Sequence, residues 1–180
     1  MQIFLILKHW QLFGLLIILQ IVSMVAIISE QATMMFVAFL LFCGILLGWF
    51  YTLGVNLNKR LPDQVKMNLT KFKWCIVIVV AYMIFYGAFV SYFWLNTDRA
   101  GNFACILPFH FLSMLCMLYC LYFVAKSLKI VELKRPDTQG SYIKELFLFC
   151  LFPIGIWIIQ PRINKIFESS LQKKTVNLSL

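Results

Sequence analysis

The feature that most constrains this chain is the run LFGLLIILQIVSMVAIIS, Leu12–Ser29, 18 consecutive residues without a charge. It is apolar on every side, so it has no polar face to turn to water. A hydrocarbon core of ~30 Å needs about 20 such residues per crossing. The run therefore predicts a transmembrane helix over about residues 11–29, with Lys8, His9 and Trp10 as interfacial anchors. The preceding MQIFLILK is apolar rather than basic, and no A-x-A site follows. The run accordingly reads as a span and not as a cleaved leader.

Three further runs repeat the pattern, over residues 32–55, 74–95 and 103–125. Glu30 and Gln31 are nearly all that separates the first two, which implies a tight antiparallel hairpin. Pro108 predicts a bend in the fourth span, because its ring removes a helix hydrogen bond. Only 13% of the 180 residues are charged, about half the usual share of a soluble domain. With 62% apolar residues and a mean hydropathy of +0.87, too little polar material remains to coat a water-soluble surface. The expected fold class is all-α, a single membrane domain over residues 1–180 with four transmembrane helices.

The links carry their own patterns. Leu61, Val65, Leu69 and Phe72 form one helical stripe, which predicts an interfacial amphipathic helix over about 61–72. Lys126–Arg135 reads as the fourth helix continuing past the membrane until Pro136, with Ser141 as the N-cap of the next segment. That segment, 146–159, is apolar all round and too short, at 14 residues or about 21 Å, to cross unaided. Pro153 and Gly155 break it. Pro161 can start another helix, predicted over about 161–172 with Ile163, Ile166, Phe167 and Leu171 as its apolar stripe.

Charge chooses between a re-entrant segment and a fifth span. Lys and Arg accumulate on the cytoplasmic side. If residues 146–159 return to their own side, 15 of the 16 basic residues lie inside and only Arg99 lies outside. If they cross, the four basic residues of the tail join Arg99 outside. The sequence therefore predicts four spans, a re-entrant or half-inserted 146–159, and both termini cytoplasmic, with a fifth span as the alternative. Net charge is +9. Because the basic residues cluster between apolar runs, the expected partner is an anionic inner leaflet and not nucleic acid.

Candidate chemistry is sparse. His110 is the only ionisable side chain well inside a span, and such residues are functional candidates by default. It has no carboxylate within a turn, so a structural histidine, bonded across helices or facing the outer headgroups, is the plainer reading. All seven acids lie at or beyond span ends. Glu132, Glu145 and the basic residues near Arg162 can converge at the inner face, as a polar site or, the plainer reading, as a solvated salt-bridge cluster. Lys126, Lys129, Glu132, Glu145, Gln160 and Arg162 are the candidate ligands for a lipid headgroup. Gly44-x-x-x-Gly48, and Gly87 with Ser91, are candidate helix-packing seams. The six cysteines fall in or beside apolar segments without a C-x-x-C, and read as packing residues. Cys116 and Cys120 alone have a spacing that two thiolate ligands would share. No cofactor and no metal are expected.

FHFLSMLCMLYCLYFVAKSLKIVEL, LGVNLNKRLP…VKMNLTKFK and FPIGIWIIQPRINKIF together resemble a group of small polytopic membrane proteins of Bacteroidota-type bacteria. The resemblance runs over most of the chain after Val55. Ala125–Lys129 and the GIWxxQPRIN element, Gly155–Asn164, are its most specific parts. It implies a bacterial inner membrane and lends no catalytic residues. The leading expectation for function is an accessory or scaffold protein that associates through its helices with another membrane protein or a second copy. A small dimeric carrier or channel, and a lipid-headgroup-modifying enzyme, remain as alternatives.

Overall fold

The computed structural model describes residues 3–62, 64–65, 67–95, 106–134 and 142–176. Among these every regular element is a helix: α1 (Ile3–Ile6), α2 (His9–Ile28), α3 (Ala32–Asn58), α4 (Leu69–Leu95), α5 (Leu107–Leu133), α6 (Ile143–Cys150) and α7 (Phe152–Val176). Helices α2 to α5 are each long and apolar enough to cross a membrane. Ile18, Ile21, Met24, Phe85, Phe109, Phe111 and Leu115 are more than half exposed. A soluble fold would bury such a surface, whereas lipid accepts it. The chain is an all-helical membrane protein.

Its contacts gather into two compact units. One comprises residues 1–14, 52–67 and 121–180, and the other comprises 15–51 and 68–120.

In the second unit α2 turns into α3 through three residues. Glu30 adopts a left-handed φ of 55°, and the Gln31 amide donates to the Ala26 carbonyl at 2.9 Å. The short link thus makes the hairpin that the sequence predicts. Gly87 on α4 lies under Phe36 of α3, whose ring would be 2.7 Å from an added Cβ. Gly87 is therefore a packing seam, filled by aromatic rings and not by a second small residue. The α4 helix starts at Leu69, where Asn68 Oδ1 accepts from the Lys71 amide at 2.9 Å, an N-cap geometry.

This start corrects one expectation. No helix spans 61–72: the described residues from Leu61 to Asn68 are turns and coil. The Asn68 cap gives Leu69–Lys73 to the membrane helix, and Pro62 accepts a turn bond from the Val65 amide at 2.9 Å. The apolar stripe is divided between a loop and the start of α4. Pro108 gives a second correction. It stands in the first turn of α5, where a helix needs no amide donor, so it opens the helix and does not bend it.

The first unit contains the start of α2, the end of α3, the end of α5, and all of α6 and α7. At the end of α5, Lys134 has a left-handed φ of 51°, a conformation that commonly closes a helix. Pro136 and Ser141, expected to stop one helix and cap the next, lie outside the described residues. The N-cap position of α6 is Tyr142.

A third correction concerns the broken segment. The break falls at Leu151 (φ −83°, ψ 56°), inside the predicted 146–159 element. The α7 helix then runs unbroken through Pro161, which was expected to begin a separate 161–172 helix. Pro161 lies on the exposed face, while Ile159, Gln160 and Ile163 on its flanks are fully buried. Their burial holds the backbone helical across a residue whose ring otherwise costs about 3 kcal/mol.

Candidate functional site

The first unit brings four of the candidate residues together. Arg162 Nε donates to Glu132 Oε1 at 2.7 Å, and its Nη2 reaches the second Glu132 oxygen, a bidentate fork. The same Nη2 donates to Glu145 Oε1 at 2.9 Å. Lys129 Nζ donates to that oxygen too, at 3.2 Å. The cluster joins α5, α6 and α7, and its two cations balance its two carboxylates. Glu145 is its most enclosed member, with a side chain only 4% exposed.

Placement follows from helical spacing. Lys129 and Glu132 are three apart, so they share one face of α5. Glu145 sits on the buried side of α6 with Phe149, while Ile143, Phe147 and Lys144 face outward. Arg162 is 17 residues beyond Glu145. In one straight helix those residues would be about 25 Å apart. Their contact requires α6 and α7 to fold back on each other at Leu151. Gly155 permits the fold: a Cβ there would overlap the Leu148 carbonyl oxygen, far closer than van der Waals contact allows. Gly155 is thus the glycine that the hairpin needs.

The electrostatics follow the geometry. Burial pushes the Glu145 carboxyl up, but Arg162, the Glu145 backbone amide and Lys129 together outweigh it, and the carboxyl ends below the ordinary glutamate range. The Arg162 guanidinium is held above its ordinary value, chiefly by Glu132.

The other candidates stand apart from this cluster. Gln160 is fully buried, and its amide nitrogen donates to the Phe4 and Leu7 carbonyls at 2.9 and 3.0 Å. It ties α7 to the N-terminal segment. Asn164, one turn on, places its amide beside the same N-terminal carbonyls, 3.3 Å from that of Leu7. Lys126 donates to the hydroxyl of Tyr122, one turn back, at 3.0 Å. Ser91 Oγ is buried with no hydrogen-bond partner, beside a groove of about 170 Å³ that Gly87 also lines. A Cβ on Gly44 would meet no heavy atom within 4 Å. Gly48 has a contact of its own in the fold and is half-buried.

His110 lies in the second unit, in the first turn of α5 on an exposed face. Its Nδ1 is 2.7 Å from the hydroxyl of Tyr82 on α4. The bond joins α4 and α5, one of the two structural forms that the sequence leaves open for this histidine.

Several partners were not legible in the sequence. Tyr82 reads as one aromatic among many. Arg60 reads as one cation in a basic link, yet its Nη1 donates to the Ile166 carbonyl at 2.8 Å and its guanidinium lies 3.9 Å from the centre of the Phe167 ring. His9 and Phe13 both pack against Trp157, at 4.7 and 5.6 Å between ring centres. Among the described residues no group of three or more His, Cys, Asp or Glu is arranged to hold a metal ion.

No protein-family model, curated protein or solved structure matches this chain.

Proposed function

We propose that the protein is an accessory or scaffold component of a bacterial inner membrane, acting by helix–helix association with a membrane partner or a second copy. The observation that carries this reading is the surface around Gly44. The chain leaves that glycine open, between Val37 and Leu41, which are 49% and 52% exposed, and the half-buried Gly48. A small residue in an apolar helix face lets another backbone come close. The headgroup candidates favour a non-enzymatic role, because Lys129, Glu132, Glu145 and Arg162 are engaged with one another and Gln160 with backbone carbonyls.

In the same reading the α6–α7 hairpin is re-entrant from the cytoplasmic leaflet, and both termini are cytoplasmic. Two features support it. The hairpin turn carries exposed Phe147, Leu151, Ile154 and Trp157, an apolar tip suited to lipid. The start of α2, the end of α3 and the end of α5 share one unit with it, as alternate ends of successive antiparallel spans do when they lie on one side. The basic residues of these segments then meet the anionic leaflet.

The experiment is in-membrane cross-linking and mild-detergent copurification of wild type and Gly44→Leu. Open space at Gly44 predicts that the variant folds normally and loses its partner. An unchanged set of cross-linked species would overturn the reading. A reporter fused after Leu180 should remain cytoplasmic, and a periplasmic signal would overturn the topology.

A further inference from the structure

We propose that Cys75 of α4 and Cys116 of α5 form a two-thiolate site for a cuprous ion. Their thiols hydrogen-bond to one another within the second unit. A separate bond fixes the same register. Tyr82 of α4 meets His110 of α5. Cys75 stands seven residues before Tyr82, on the same stripe of α4, and Cys116 stands six residues after His110. A step of about 10 Å back along α4 thus matches one of about 9 Å forward along α5, as antiparallel neighbours require. Either cysteine by itself is a small packing residue, whereas two sulfurs in contact are a ligand pair.

Coordination number selects the ion. The spacing of Cys116 and Cys120 suits two thiolate ligands, but the structure gives Cys116 a partner on another helix. Cys120 lies one turn further along α5, fully buried, and near enough to both to interact with them electrostatically. Yet among the described residues no third His, Cys, Asp or Glu is arranged with the pair to hold a metal ion. Structural zinc takes four ligands, and hard cations take oxygen. Soft thiolates select cuprous copper, which two sulfurs in line satisfy. A metal–thiolate bond is about 2.3 Å long, so the linear unit spans roughly 4–5 Å between sulfurs. That is close to the separation of two hydrogen-bonded thiols. Both cysteines are free of disulfides.

The charge is tolerable at this depth. Binding replaces two S–H bonds with two S–Cu bonds, releases two protons and changes no oxidation state. The product carries one negative charge, which hydrocarbon penalises. Cys75 is six residues into α4, about 9 Å from its start. It directly follows exposed Trp74, a residue type that marks the membrane interface. Lys71, one turn before Cys75 on the same helix face, is exposed and sets a cation beside the anionic product. Cys75 is half-buried and Cys116 is 8% exposed. An ion arriving from the start of α4 therefore meets Cys75 first and is then enclosed by Cys116. This site is independent of the Gly44 surface.

The test uses the full chain, purified in mild detergent without oxygen and with ascorbate as reductant. Cu(I) is titrated in competition with bathocuproine disulfonate. Expected is one ion retained per chain, with two sulfur neighbours by X-ray absorption. Cys75→Ser and Cys116→Ser should each weaken retention more than about 100-fold, beyond the loss that changes around a ligand bring. Cys120→Ser and Cys43→Ser should retain the ion. Should a serine variant misfold, the wild type gives a second readout. Dibromobimane, fluorescent once both its arms have reacted, should bridge Cys75 to Cys116, and one equivalent of Cu(I) should block it. No ion retained, equal retention by Cys75→Ser, a third sulfur neighbour that Cys120→Ser removes, or bridging that is absent or insensitive to Cu(I) would each overturn the proposal.

Discussion

Replacing Arg162 by Met tests the hairpin most directly. The thioether side chain nearly fills the arginine's volume, so the change removes charge and hydrogen bonds more than packing. Arg162 supplies two hydrogen bonds to Glu132 and one to Glu145. Without it Glu145, 4% exposed, keeps Lys129 as its one side-chain partner, and Glu132 loses both bonds of the fork. Removing one partner from a fully buried ion pair costs about 3–5 kcal/mol. Glu132 is 20% exposed and Arg162 30% exposed, so partial hydration reduces the penalty to about 2–3 kcal/mol. The loss falls on the docking of α7 against α5 and α6. The assay is thermal unfolding in mild detergent, paired with the rate of thiol labelling at a cysteine introduced at Ile163, which is buried in the wild type. The introduced cysteine should label faster in the Arg162→Met background by roughly 30-fold or more. The double variant Arg162→Met/Glu132→Met removes one cation and one anion, leaves the Glu145–Lys129 pair intact, and should recover most of the loss. If Arg162→Met changes neither unfolding nor labelling, the cluster does not hold the hairpin.

Further outcomes follow from the same geometry. Because the Glu145 carboxyl is held below the ordinary glutamate range, its contribution is complete at neutral pH. It is lost as pH falls through its depressed folded value. Acid should therefore release the hairpin, read by labelling at the same introduced cysteine, and Glu145→Gln should flatten that dependence. Gly155→Ala places a Cβ against the Leu148 carbonyl and should cost about 1–3 kcal/mol; a melting temperature unchanged from wild type would contradict the close approach. Gly87→Ala should be nearly neutral, since the Phe36 ring can turn aside and alanine favours the helix by about 1 kcal/mol. Gly87→Leu should destabilise, and Phe36→Ala should rescue it, which a double-mutant cycle checks.

Long-range order was legible where one segment decides its own state. Leu12–Ser29 has no charge to satisfy and no polar face, so it must be a buried or lipid-facing helix whatever surrounds it. A meeting of Glu132 and Glu145 with basic residues near Arg162 was also legible as a possibility, because all of them flank apolar segments at ends that the charge count puts on one side. What failed was punctuation. Pro161 reads as a helix start, but Ile159, Gln160 and Ile163 are packed strongly enough to carry the helix across it. Leu61 and Val65 read as helix, but the Asn68 cap sets the boundary eight residues later than predicted.

The sequence alone determined that this is an all-helical membrane protein. Hydrophobicity over 18 or more residues is a local property, and hydrocarbon leaves the backbone no alternative to helix in such a segment. Only the tertiary structure decided where Glu145 meets Arg162, that Gln160 binds the carbonyls of Phe4 and Leu7, that His110 pairs with Tyr82, and that Gly155 and not Gly44 is closely approached within the chain. Each depends on the rotation and depth of one helix against another. Those are set by the sum of many weak side-chain contacts, which uniformly apolar helices do not announce in any one residue.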